Sequence, residues 1–172
     1  TIPVFWLNSL YGEDYAAVLA LYIIKLAFNN NPSLKRLNLK FLDEIFDLIA
    51  FKYYERETKV IKQGEPKCAQ IIVPIEGELI DSSTGQTICT RNNLLFGKEI
   101  YEEDTTPTSS SIKCKPYSLL AILKCSDIKS YVKCSLKSLG EKNGFIKQLR
   151  KVNLFKNFTN AKLENLTRKI KI

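Results

Sequence analysis

The stretch of this sequence best equipped for chemistry runs from Phe96 to Ser111, FGKEIYEEDTTPTSSS, where a glycine opens an acidic segment that leads through Pro107 into Thr108, Ser109, Ser110 and Ser111. A helix start offers unpaired backbone N–H groups and the positive end of a dipole to an anion, and small hydroxyl side chains add neutral donors. The same stretch carries Glu99, Glu102, Glu103 and Asp104, whose charges oppose a phosphate. It reads as a phosphate cradle, or as what is left of one.

The rest of the chain narrows what that stretch serves. With no histidine among 172 residues, the sequence holds no Ser-His-Asp or Cys-His arrangement, no histidine-containing zinc site and no imidazole acid or base. No nucleophile sits with a base and no metal-ligand spacing occurs, so the reading is non-catalytic and calls for no cofactor. Cysteines 68, 89, 114, 125 and 134 form an odd set without a CxxC pair, which suits a reducing, cytoplasmic setting better than a disulfide framework. The most apolar run, Tyr15 to Phe28, is interrupted by Lys25 and too short for a membrane span.

Charge is placed unevenly. Residues 113–172 carry fifteen Lys or Arg against Asp127, Glu141 and Glu164, a net of +12, which leaves −4 for residues 1–112 out of the chain total of +8. Lysines spread along helices are more often a wet helix face than a nucleic-acid contact, and they are read so here.

The elements that must position the Phe96–Ser111 stretch follow from periodicity. Gly12-Glu13-Asp14 precedes YAAVLALYIIKLAFNN, a helix apolar nearly all round, expected to pack within its own domain. Asn38 is placed to cap a second helix, LKFLDEIFDLIA, with Leu42, Ile45, Phe46 and Ile49 on one face and Asp43 and Asp47 on the wet side. From Phe51 to Cys125 the texture turns to β-prone runs, FKYYE, KVIKQ, AQIIVPIEGELI, GQTICT and SLLAILKC, punctuated by glycine, proline and Asp81-Ser82-Ser83. Helical signals then return in SDIKSYVKCSLKSL, a break at Gly140 and Gly144, FIKQLRKVNLFKNF, and a last helix capped by Thr159 or Asn160. Strands flanked by helices on both sides in sequence predict a segregated α+β architecture. Its core is expected from Leu42, Ile45, Phe46, Ile61, Ile71, Ile72, Leu79, Leu120 and Ile122, with Gly64 and Gly77 at sharp turns.

The run NPSLKRL from Asn31, Tyr54, the run Val60-Ile61-Lys62-Gln63-Gly64-Glu65, then Ile75-Glu76-Gly77-Glu78-Leu79, and Phe96-Gly97 with Pro107 follow one another at telling intervals. In that order the segment from Asn31 to Val132 resembles the cyclic-nucleotide-binding domain family of protein kinases, ion channels, exchange factors and transcription regulators. Gln63 stands nine residues after Tyr54, as the family pattern has it. The resemblance implies an antiparallel, jelly-roll-like β-barrel of about eight strands. It divides the chain into an N-terminal helical segment (1–38), the barrel domain (39–132) and C-terminal helices (133–172) leading toward a second similar domain.

In that family Phe-Gly-Glu and an apolar residue are followed, eight residues after the Glu, by a Pro-Arg pair whose arginine holds the cyclic phosphate. Here Glu99-Ile100 takes the Glu position if Lys98 is an insertion, because Pro107 then falls eight residues later; in the other register Lys98 replaces the Glu. Spacing favours the insertion. The ligand-binding residues implied by the resemblance are Phe96, Gly97, Lys98, Glu99, Ile100, Thr108, Ser109 and Ser110, with Glu99 toward a ribose hydroxyl. Thr108 stands in the arginine position, and a hydroxyl offers one neutral donor where a guanidinium offers a charged fork. A degenerate phosphate-binding segment results.

The C-terminal LFKNF echoes Asn31 to Leu37 and suggests a tandem array, as in protein kinase regulatory regions, more than the helix-turn-helix of the transcription regulators. The implied function is a regulatory module of a cyclic-nucleotide-dependent protein kinase, the cGMP-dependent type favoured, with cGMP or cAMP as ligand bound weakly or not at all. Its implied partner is a neighbouring domain of the same chain or a kinase catalytic domain. The other readings are a structural or docking domain without ligand, or a cyclic-nucleotide-responsive transcription regulator, channel or exchange-factor module.

Overall fold

A computed structural model describes residues 15–37, 39–90 and 95–169. The helix start expected at Gly12-Glu13-Asp14 and the Asn38 cap lie outside the described residues. The chain opens with helix α1 (Tyr15–Asn30), a 3-10 turn at Leu34–Arg36 and α2 (Leu39–Glu44). Seven strands follow: β1 (Ala50–Tyr54), β2 (Thr58–Ile61), β3 (Gln70–Glu76), β4 (Glu78–Asp81), β5 (Thr87–Thr90), β6 (Ile112–Cys114) and β7 (Ser118–Lys124). Helices α3 (Cys125–Val132), α4 (Leu136–Leu149) and α5 (Asn160–Lys169) close it.

The segregated α+β order and the antiparallel pairing agree with expectation; a closed barrel of eight strands does not form. Seven strands, among the described residues, make two antiparallel sheets ordered β1-β7-β3 and β2-β6-β4-β5. Among the described residues no strand ladder joins them, and two isolated bridges stand apart from the ladders, Phe96 against Ile72 of β3 and Pro66 against Pro107. Strand β6 escapes a reading by runs because it is only three residues long, although Ile112 and Cys114 alternate as a half-buried strand should.

Both faces of β3 and β7 are covered, which is why these strands read as nearly unbroken apolar runs, while β1 is largely exposed. Ile71, Val73, Ile75, Ala121 and Leu123 face the helices, packing with Ile24, Phe28, Leu42 and Ile128. Ile72, Leu120 and Ile122 face the other sheet, packing with Ile61, Leu79, Cys89 and Ile112. Eight of the nine expected core residues are buried, and Phe46 is half-buried against the helix-side cluster.

Two helical expectations change and one alternative is settled. The second helix ends at Glu44 and gives way to a 3-10 turn at Phe46–Leu48, because Ala50 already belongs to β1. Gly140 and Gly144 do not break the chain but lie inside α4, whose N-cap Ser135 accepts a hydrogen bond from the Ser138 N–H at 3.1 Å. The break falls earlier, at Lys133, with φ 57°. At the last helix Thr159 is the cap, its hydroxyl accepting from the Lys162 N–H at 3.4 Å, while Asn160 accepts from the Arg150 guanidinium. Helix α1 buries Ala20, Ile23, Ile24, Ala27 and Phe28 in its own domain and leaves Val18, Leu19, Tyr22 and Leu26 exposed. Among the described residues, no helix is long and apolar enough to cross a membrane.

Candidate functional site

The site is anchored where the chain meets β3 at Phe96. Phe96 and Ile72 exchange both backbone hydrogen bonds, at 2.9 and 3.0 Å, which pins the start of the segment to the sheet. Gly97 follows with φ 90°, and a Cβ there would sit 2.0 Å from the Gln70 carbonyl oxygen. Only glycine meets both demands, the left-handed backbone and the contact with β3. The expected short helix shrinks to a single 3-10 turn at Lys98–Ile100.

Phe96 and Glu99 then line a cavity of about 180 Å³ together with Lys67, Asp81, Ile88, Thr108, Ser109, Ser110 and Ile112. Small-molecule sites usually enclose about 300–1,000 Å³, so this one is tight. The structure brings together Phe96, Glu99, Thr108, Ser109 and Ser110 of the expected set. Ile100 turns into the helix-side core instead, and the Lys98 side chain lies outside the described residues.

Thr108 is 7% exposed, and its hydroxyl donates to the Lys62 carbonyl at 3.1 Å. Its backbone is equally engaged: the N–H donates to the Glu65 carbonyl at 2.8 Å and its carbonyl accepts from the Gly64 N–H at 3.0 Å. A hydroxyl has one proton to donate, and here it is spent on the protein. Ser111 ties the segment down as an acceptor, taking the Gln63 N–H at 3.0 Å. The segment is stitched to the loop between β2 and β3.

Asp81, at the end of β4, was legible in sequence only as part of a turn. Its carboxylate accepts from the Ser110 hydroxyl at 2.5 Å, from the Ser83 N–H at 2.7 Å and hydroxyl at 2.6 Å, and from the Thr84 N–H at 3.2 Å. These donors, Ser110 first, hold its pKa down at about 2, so it is ionised at neutral pH. Asp81 and Glu99 set two carboxylates against Lys67 on the cavity wall.

The acidic loop behaves differently from its sequence reading. Glu102 and Glu103 do not face the cavity; they pair with Lys137 of α4 at 3.1 Å and Lys129 of α3 at 2.8 Å. Asp104 accepts from the Thr106 N–H at 2.9 Å in a tight turn, which lowers its pKa. Tyr101 is buried against Gly140, where an added Cβ would come 2.5 Å from the Tyr101 hydroxyl. That glycine is a notch for the ring, and the segment is fastened to the C-terminal helices. Repulsion toward a phosphate comes from Asp81, not from Glu102 or Glu103. No group of metal-ligating side chains forms among the described residues.

No family model matches the sequence, and no curated protein matches it. Solved structures do. The regulatory domain of Toxoplasma gondii PKA with cAMP aligns at a TM-score of 0.52 with 12% identity, over 84% of this chain and 56% of that one. A cAMP-bound PfPKA-R aligns at 0.50 with 15% identity, over 86% of this chain and 53% of that one. The chain thus spans a little over half the length of these structures, and its fold is that of a cyclic-nucleotide-binding domain with flanking helices.

Proposed function

We propose that this chain is a non-catalytic regulatory module of a cyclic-nucleotide-dependent protein kinase, the cGMP-dependent type favoured, whose own pocket binds the cyclic nucleotide weakly or not at all. The observation that carries this reading is Thr108: it occupies the arginine position of the resemblance, and its hydroxyl is donated to the Lys62 carbonyl beside the ionised Asp81. Removing one partner of a buried charge pair costs about 2–5 kcal/mol, or roughly thirty- to several-thousand-fold in affinity. A like charge on the wall deepens that loss.

Support for the kinase setting is structural and partial. Both structures named above are PKA regulatory proteins bound to cAMP, longer than this chain. The NPSLKRL and LFKNF segments each form a 3-10 turn followed by a helix, consistent with a second similar domain beginning near Asn153. The partner is then that domain or a kinase catalytic domain, in the cytoplasm, where free cysteines persist. Burial pushes the thiols of Cys89, Cys114 and Cys125 up, Cys89 to about 11, which suits structural and not nucleophilic cysteines. The second reading, a ligand-free docking domain, draws on the exposed apolar face of α1.

Calorimetric titration of cAMP and cGMP into the wild type and Thr108→Arg tests the main reading. The wild type is expected to show no binding at micromolar level, and the variant a gain. Micromolar binding by the wild type overturns the degenerate pocket.

A further inference from the structure

The sandwich has a second cleft, larger than the first and opposite in charge. It encloses about 360 Å³ where the two sheets part between β1 and β2. Among the described residues each of these strands is the end strand of its sheet, β1 paired only with β7 and β2 only with β6. Lys52, Lys59 and Lys124 line the cleft against Asp127, and none of the three lysines makes an ion pair among the described residues. The apolar part of the lining is Leu48, Val60 and Ile122.

Register explains the arrangement. Ala50, Lys52 and Tyr54 lie directly opposite Ile122, Leu120 and Ser118, so they share the inner face of β1, and all three line the cleft. The cleft therefore follows β1 for about 13 Å at about 3.3 Å per residue, a slot and not a bowl. On the outer face Phe51 and Tyr53 stay 41% and 58% exposed. Among the described residues, then, β1 has a free edge, exposed aromatic side chains and a lysine on its inner face, and no strand partners that edge.

We propose that this cleft receives an extended acidic peptide segment, which adds a strand along the free edge of β1 and sets its carboxylates against Lys52, Lys59 and Lys124. Charge selects the occupant. A second copy of the chain, pairing β1 with β1, brings lysine against lysine, and like charges across a strand pair destabilise it. A compact anion meets the lysines but leaves the strand edge unpaired, whereas an extended chain satisfies both. The site is independent of the nucleotide cavity and of the function proposed for it.

The experiment is a titration of the full chain with a short fluorescein-labelled peptide of alternating Thr and Glu, followed by anisotropy and by amide NMR shifts. Binding is expected below millimolar concentration, weakened by salt, with shifts centred on Ala50–Tyr54 and Thr58–Ile61. Lys52→Gln and Lys59→Gln should each weaken it by about fivefold, the worth of one well-placed exposed ion pair. The proposal is overturned by no saturable binding, by equal binding of the Thr–Lys peptide, or by shifts confined to the basic α4 and α5 surface. Undiminished binding of a backbone N-methylated Thr–Glu peptide, or full displacement by pyrophosphate at equal concentration, makes the cleft a small-anion site and overturns strand addition.

Discussion

The two clefts of this sandwich differ in almost every property that selects a ligand. The first, built where the Phe96–Ser111 segment folds back on β3, is small and lined by Asp81, Glu99 and Lys67. The second, between β1 and β2, is twice the volume and holds three lysines that form no ion pair among the described residues, with Asp127 beside them. The cleft that gathers residues expected from the resemblance to bind a nucleotide is the one less suited to an anion. A fold fixes where a cavity lies, while a handful of side chains decide what charge it accepts.

That contrast can be inverted on purpose, and the largest effect should come from doing so. Combining Thr108→Arg with Asp81→Asn restores a cation and removes the opposing carboxylate, so calorimetry should show cAMP or cGMP bound at least about thirtyfold more tightly than by the wild type. No gain in the double variant would mean that cavity size, not charge, bars the nucleotide.

Next in size is the rigidity of the acidic-walled cleft. Gly97→Ala forces a Cβ into the Gln70 carbonyl at a positive φ, and should cost about 3 kcal/mol in urea unfolding. Gly64→Ala, equally positive in φ but with open space around it, should cost only about 1 kcal/mol. Equal losses would show that backbone strain alone matters and that the close approach to β3 does not.

The smallest effect concerns acid. Because folding depresses the Asp81 pKa to about 2, its hydrogen bonds contribute stability above the ordinary carboxylate pKa of about 4, lost as pH falls from there toward 2. Thermal unfolding should therefore show a smaller drop in Tm between those pH values for Asp81→Asn than for the wild type. Identical drops would remove Asp81 from the account.

Much of the fold could be read from local pattern, and the candidate site only in outline. Alternation and apolar runs located six of the seven strands, since a strand buried on both faces needs apolar residues at every position. Gly64 and Gly77 were correctly placed at turns, and both hold positive φ, 88° and 86°. Helix limits were less secure: Ile45 and Ile49 keep helical spacing, yet the chain between them leaves the α-helix because β1 must begin at Ala50. Asp81 was missed because the group it meets, Ser110, lies 29 residues away. No local signal separates a turn aspartate from one that walls a cavity.

By itself the sequence determined that imidazole chemistry is absent and which residues must be buried, because residue type and periodicity are local properties. The charge of each cleft was decided only by tertiary structure. Lys129 and Lys137 neutralise Glu103 and Glu102 away from the cavity, and β4 delivers Asp81 to it. The field at a site sums over groups distant in the chain, and the distances in that sum exist only once the sheets have paired.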